Sequence, residues 1–206
     1  MVIMGIDPGL AHTGWAVIET QGTHARARAY DCISTSTTVP LDGRLATIAK
    51  NINAALRSYQ PQAVAVEKIF FGQNHKSAIS TAHARAAALV ACGTAHLELG
   101  EYTPMQIKQA VVGTGSADKH QVTYMVRSIL HLDHDPKPDH CADALAAALC
   151  HFTMSCSAMG RASQRSRLNT FSVHPTTGSA PQPSMQSSMQ RSMVVGRIDQ
   201  RLEGIL

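Results

Sequence analysis

No apolar run in the chain approaches the roughly 20 residues that a membrane-spanning helix needs, so no membrane partner is expected. The N-terminus has no basic stretch followed by an apolar one, so no secretory leader is expected either. The five cysteines (Cys32, Cys92, Cys141, Cys150 and Cys156) are odd in number and form no CxxC pair. That argues against a disulfide framework and points to a reducing cytoplasm. Charge is sparse, at 16% of residues against 44% hydrophobic, as in a soluble globular protein. A length of 206 residues allows one well-buried domain plus extra sequence, but not two ordinary enzyme domains.

The net charge of +4 does not belong to the core. From Ser155 onward six arginines (Arg161, Arg165, Arg167, Arg191, Arg197 and Arg201) face only Asp199 and Glu203, a balance of +4, so residues 1–154 are neutral. A polyanion partner would have to be met by segregated patches of charge, or by acidic groups neutralised with metal.

The first 35 residues predict strands at Val2 to Ile6, Gly14 to Ile18 and Arg28 to Ser34, punctuated by Pro8-Gly9 and Gln21-Gly22. Leu45, Ile48, Ile52, Leu56 and Tyr59 recur at helical spacing and stop before Pro61. Ala63 to Val66 predicts a short strand ending in Glu67. The Ala-rich stretch from Asn74 to Leu99 predicts a helix stopped by Gly100, with Ala78, Ala82, Ala86, Ala87 and Ala91 small enough to let another helix approach. Glu101 to Thr103 then predicts a strand, and helices follow at Met105 to Val112, Ser116 to Leu132 and Ala142 to Phe152. Residues 155–206, rich in Ser, Gln, Met, Pro and Arg, predict a low-complexity, basic and mostly disordered tail with at best a short helix near Val194 to Leu206. The order of elements in 1–154 suits an α/β mixed sheet, its first strands antiparallel and its later ones joined by helical crossovers.

Asp7 and Glu67 share a grammar: each ends a short apolar run, VIMGI before Asp7 and AVAV before Glu67. If those strands are neighbours, both carboxylates leave the same edge of the sheet. PDHCADALAAAL sets Asp139, His140 and Asp143 at the start of the last helix, spaced so that either His140 or Asp139 shares a face with Asp143. Singly, each residue has an ordinary explanation: a turn cap for Asp7, a helix N-cap for Asp139, a solvated Glu67. Together they suggest more, because converging carboxylates repel, and a hard divalent cation is the usual compensation. Two such ions can stabilise both the attacking and the leaving oxygen of a phosphoryl displacement.

GIDPGLAHTGWAVIE at 5–19, AVEKIFFGQN at 65–74, ARAA at 84–87, QIKQAVVGTGSADKHQV at 106–122 and DHCADALAAALCH at 139–151 closely resemble the RuvC family of bacterial Holliday-junction resolvases. The resemblance implies an RNase H-like fold with a five-stranded mixed sheet flanked by helices. It also implies a homodimer working with the RuvA-RuvB branch-migration complex. Magnesium would be the cofactor, two ions per subunit, with manganese able to substitute. The implied activity is symmetric nicking of two strands of like polarity in four-way junction DNA, leaving 5′-phosphate and 3′-hydroxyl ends. Carried over residue by residue, the acidic site falls on Asp7, Glu67, His140 and Asp143, with Asp7 bridging two ions, Glu67 completing one site and His140 with Asp143 the other. Most members carry Asp where His140 stands, a change that removes one negative charge and adds a nitrogen ligand. His140 could instead serve as a general base.

The same resemblance makes Phe70 a stacking residue at the opened crossover, and Lys108 and Lys119 phosphate contacts, with Lys76 a weaker candidate. GTGSADK lacks the spacing of a nucleotide-binding P-loop, so its amides and Lys119 are assigned to DNA. His131, His134, His140 and Cys141 fit no common closed zinc site. An actin-like phosphotransferase would need a second nucleotide-binding half, for which there is no room. The alternatives that stay open are an RNase H-like nuclease acting on another branched substrate and an inactive junction-binding protein. The tail's arginines are expected to add nonspecific DNA affinity.

Overall fold

The structure, a computed structural model, describes residues 1–69 and 75–169, with 75–77 and 157–169 described as backbone only. Five strands, β1 (Val2–Asp7), β2 (His12–Gln21), β3 (His24–Ser34), β4 (Ala63–Glu67) and β5 (Glu98–Tyr102), form one sheet in the order β3-β2-β1-β4-β5. β1 is antiparallel to β2, as β2 is to β3, whereas β1 runs parallel to β4 and β4 to β5. This is the five-stranded mixed sheet that the resemblance implies. Helices α1 (Leu41–Tyr59) and α2 (His75–Thr94) supply the crossovers, and α3 (Pro104–Val112), α4 (Lys119–Ile129) and α5 (Asp139–Asn169) follow the last strand.

Side-chain alternation along the central strands divides the interior into two layers. Met4, Ile6, Val17, Val64 and Val66 point toward α1 and α2, where Ile48, Ile52 and Leu56 complete the cluster. Ile3, Ala16, Ile18 and Ala65 point the other way, toward Ala144, Leu145 and Ala148 of α5 and Ile107 and Val126 of α3 and α4. Full burial of each large apolar side chain contributes about 1.5–3 kcal/mol.

Two glycines decide how close α5 can come. A Cβ on Gly5 would lie 1.9 Å from the Ala144 carbonyl oxygen, and one on Gly14 would lie 2.0 Å from that of His140. The helix backbone therefore rests directly on β1 and β2. Local signals fix the other helix ends. Thr103 and Gln106 form a capping box with Pro104 at the first turn of α3, Asp118 and Gln121 do the same for α4, and α3 ends on Gly113 at φ 88°.

Beside shifts of a few residues at the ends of β2, β3 and α4, the larger differences from the sequence expectation lie at α2, β5 and α5. α2 stops at Thr94, and His96, at φ 53°, turns the chain into β5, so Leu97 and Leu99 leave the predicted helix. Gly100, expected as a helix stop, is the middle of β5; a Cβ there would lie 2.5 Å from His151 Nδ1 and 2.8 Å from the Tyr102 hydroxyl. Pairing with β4 outweighs the helical propensity of the alanine-rich run. α5 continues past Phe152, across the expected division at 154/155, to Asn169, through a stretch without proline that extends an established helix. The segment 170–206 lies outside the described residues, and with it the expected helix near Val194 to Leu206.

Gly5→Ala is expected to lower stability by about 3 kcal/mol, since the added Cβ meets backbone rather than a movable side chain. Gly93→Ala, where the Cβ meets nothing within 4 Å, is expected to be neutral or stabilising. Urea unfolding midpoints at unchanged slope measure both.

Candidate active site

The alternation that sends Ile3 and Gly5 toward α5 also sends Asp7 there, and the alternation of Ala63 and Ala65 sends Glu67 to the same face. β1 and β4 are parallel with Ile6 opposite Val66, so the two carboxylates stand side by side at the C-terminal ends of adjacent strands. α5 begins directly above them. With the His140 carbonyl seated over Gly14 and that of Ala144 over Gly5, the first turns of the helix bring His140 and Asp143 down onto Asp7.

One potential ligand atom from each of Asp7, His140 and Asp143 lies within 4.8 Å of the other two, the one such group among the described residues. His140 Nδ1 is 2.7 Å from Asp7 Oδ2. An ionised carboxylate can only accept, so the ring donates from Nδ1, which leaves the Nε2 lone pair to another partner. Glu67 is outside this triplet but adjoins it. With Asp143 it lines a cavity of about 250 Å³ whose other polar walls are Lys108 and Lys119. Lys119 Nζ lies 3.2 Å from Asp143 Oδ2 and 3.3 Å from Asp139 Oδ2.

The charges are under strain. Burial, then repulsion from Asp7 and Asp143, pushes the Glu67 carboxyl up from 4.5 to about 7, while Lys108 and Lys119 pull it down. Asp143 is also raised, by burial first and Asp7 next, with Lys119 opposing. His140 is raised chiefly by its hydrogen bond to Asp7. Three carboxylates and an imidazole with this deficit of positive charge suit a divalent cation bound through oxygen, and the ring nitrogen tilts the preference toward manganese-like ions.

Asp139, the other candidate at the helix start, is exposed and turned to Lys119, outside the triplet. Phe70 lies outside the described residues, and so does the side chain of Lys76. Of the GTGSADK loop, it is Lys119 that reaches the acidic cluster; the Asp118 carboxylate accepts from the Gln121 amide, and Thr114 pairs with Ser116. His131 and His134 do not join any ligand group among the described residues.

Sequence reasoning passed over two residues beside the site. His12 stacks on His140, with ring centroids 5.5 Å apart and planes 23° from parallel. Arg85 of α2 pairs with Glu101 and donates from Nε to the Glu67 carbonyl at 3.4 Å. Arg85 falls within the quoted ARAA stretch and His12 within GIDPGLAHTGW, but neither ends an apolar run, the signal that exposed Asp7 and Glu67.

Because folding raises the Glu67 carboxyl above its ordinary value, its cost to stability is absent below pH 4.5 and grows as the pH climbs toward 7. In metal-free protein, Glu67→Gln is therefore expected to raise the melting temperature by about 5 °C at pH 8 and to leave it unchanged at pH 4.5. Calorimetry in the presence of a chelator measures the difference.

Residues 3–151 match the family model described as RuvC, crossover junction endodeoxyribonuclease. A crossover junction endodeoxyribonuclease RuvC from Desulforamulus reducens is 44% identical over 161 residues, spanning 78% of this chain and 99% of its own. The protein of that name from Halothermothrix orenii is 46% identical over 151 residues, spanning 73% of this chain and 92% of its own. Among solved structures, Thermus thermophilus RuvC in complex with a Holliday junction substrate is similar at a TM-score of 0.72 and 40% identity, over 75% of this chain and 94% of that one. The yeast mitochondrial Holliday junction resolvase Ydc2, 11% identical, shares the fold at a TM-score of 0.52, over 76% of this chain and 85% of its own. The architecture is RNase H-like, and with a family match over residues 3–151 and these levels of identity, the chain belongs to the RuvC family of crossover junction endodeoxyribonucleases.

Proposed function

We propose that the protein resolves Holliday junctions in homologous recombination and DNA repair, nicking two strands of like polarity symmetrically and leaving 5′-phosphate and 3′-hydroxyl ends. The observation that carries this reading is the meeting of Asp7, His140 and Asp143 at one edge of the sheet, beside Glu67. Asp7, Glu67, His140 and Asp143 would hold magnesium, two ions per subunit, with manganese able to substitute. When bound, such ions polarise the scissile phosphate and acidify the attacking water.

The chain's own groups do the rest. Lys108 and Lys119 line the cavity shared by Glu67 and Asp143, where their ammonium groups would orient a phosphate. Lys119, held by Asp139 and Asp143, would exchange these for phosphate oxygens. The Asp7 carboxylate fixes the His140 ring through Nδ1, so Nε2 is the atom that meets a ligand or takes a proton. Phe70 would stack on a base at the opened crossover.

Paired nicks require paired sites, and α2 supplies a face for a second copy. Ile79 and Val90 are 66% and 65% exposed there, and Ala86 between them is small and exposed, whereas Ala78 and Ala91 are buried within the subunit. The homodimer would act in the cytoplasm with the RuvA-RuvB branch-migration complex. Among the described residues no helix is long and apolar enough to cross a membrane.

Asp7→Asn is expected to cut nicking of a synthetic four-way junction by roughly a thousandfold while leaving junction affinity within about twofold. Linear duplex and single strands, run beside the junction, are expected to stay intact. Nicking by the variant at the wild-type rate overturns the site; wild-type cleavage of all three substrates alike overturns the junction reading.

A further inference from the structure

We infer that His12 is a positioning residue for the acidic site, holding the His140 ring at the angle that lets it serve beside Asp7; the inference deepens the proposed function and rests on it. His12 opens β2, three residues past the Pro8-Gly9 turn, and its ring lies against that of His140 in a near-parallel stack. Asp7 holds the His140 ring at Nδ1 alone, a single point that leaves the tilt of the ring unfixed, and the offset-stacked His12 ring limits that tilt.

The main chain around His12 is built to keep it there. Thr13 donates its hydroxyl to the Gly9 carbonyl at 2.7 Å, and Thr35 donates its own to the Leu10 carbonyl at 2.5 Å. The Thr35 amide donates to Ala11 at 2.9 Å. A Cβ on Gly9 would lie 2.4 Å from the His12 carbonyl oxygen, so the glycine lets the turn fold flat beneath the histidine. His12 pairs in register with Ser34 of β3, whose hydroxyl is 3.1 Å from His12 Nδ1. Thus Ser34, His12, His140 and Asp7 form one continuous series of contacts from an edge strand to the central carboxylate. An exposed histidine tied at its ring and stacked on a site residue is arranged to orient that residue.

The test uses the full chain and manganese alone as the probe. In calorimetric titrations His12→Ala is expected to weaken manganese binding about tenfold, in line with the loss of groups that orient metal ligands. In junction cleavage its kcat is expected to fall by a similar factor at unchanged KM. His12→Phe keeps the stack without the ring nitrogens and is expected to restore both to within about threefold. Proton NMR of the metal-free protein supplies a readout independent of metal and substrate: the His140 ring signals are expected to shift and broaden in His12→Ala and to recover in His12→Phe. Unchanged His140 signals and manganese affinity in His12→Ala overturn the inference. So does a His12→Phe protein as impaired as His12→Ala, since that would make the nitrogen, not the stack, the working group. If Asp7→Asn binds manganese as well as wild type, the metal reading itself fails, and the NMR comparison still decides the role of His12.

Discussion

Helix α5 lies on β1 and β2 at backbone contact, and this is possible only where the strands carry no side chains. Gly5 and Gly14 provide those two openings, one beneath Ala144 and the other beneath His140. A helix resting on ordinary side chains would stand several ångströms higher, and His140 and Asp143 would not reach Asp7. Ala144 and Ala148 present their backbone to Gly5, and with Ala147 they are buried against the sheet side of the core. The stabilising contact and the functional geometry are thus one feature, and it spans 133 residues of sequence between Asp7 and His140.

That geometry carries an electrostatic cost. At this partly buried edge Asp7 and Asp143 disfavour ionisation of Glu67, and Asp7 disfavours that of Asp143, while Lys108 and Lys119 offset only part of the repulsion on Glu67. A fold selected for stability alone would relieve this with neutral residues. This incomplete compensation suits an external cation, and the hydrogen bond from the His140 ring satisfies part of the Asp7 carboxylate.

Much of this is legible in the amino-acid sequence. A carboxylate at the end of an apolar strand breaks a pattern, so Asp7 and Glu67 declared themselves, and the three-residue spacing of His140 and Asp143 gave their shared helical face. That β1 and β4 are neighbours was left as a condition by the sequence, and their parallel pairing meets it. What escaped was decided by partners distant in sequence. Leu97 to Gly100 looks helical until β4 offers an edge to pair with, and only then does Gly100 acquire its reason, the room needed by Tyr102 and His151. The extension of α5 to Asn169 depends on a helix already nucleated by its contact with the sheet. His12 carries no pattern at all, because a stack on His140 exists only once the turn and the helix have met.

The proposed cation site of Asp7, His140 and Asp143, with Glu67 alongside, depends on the packing at Gly5 and Gly14. Anomalous diffraction from crystals soaked in manganese tests it most directly. A strong anomalous peak is expected within about 2.5 Å of an Asp7 carboxylate oxygen, with Asp143 and His140 among its ligands. Manganese bound only elsewhere, with the Asp7–His140 hydrogen bond undisturbed, would contradict it.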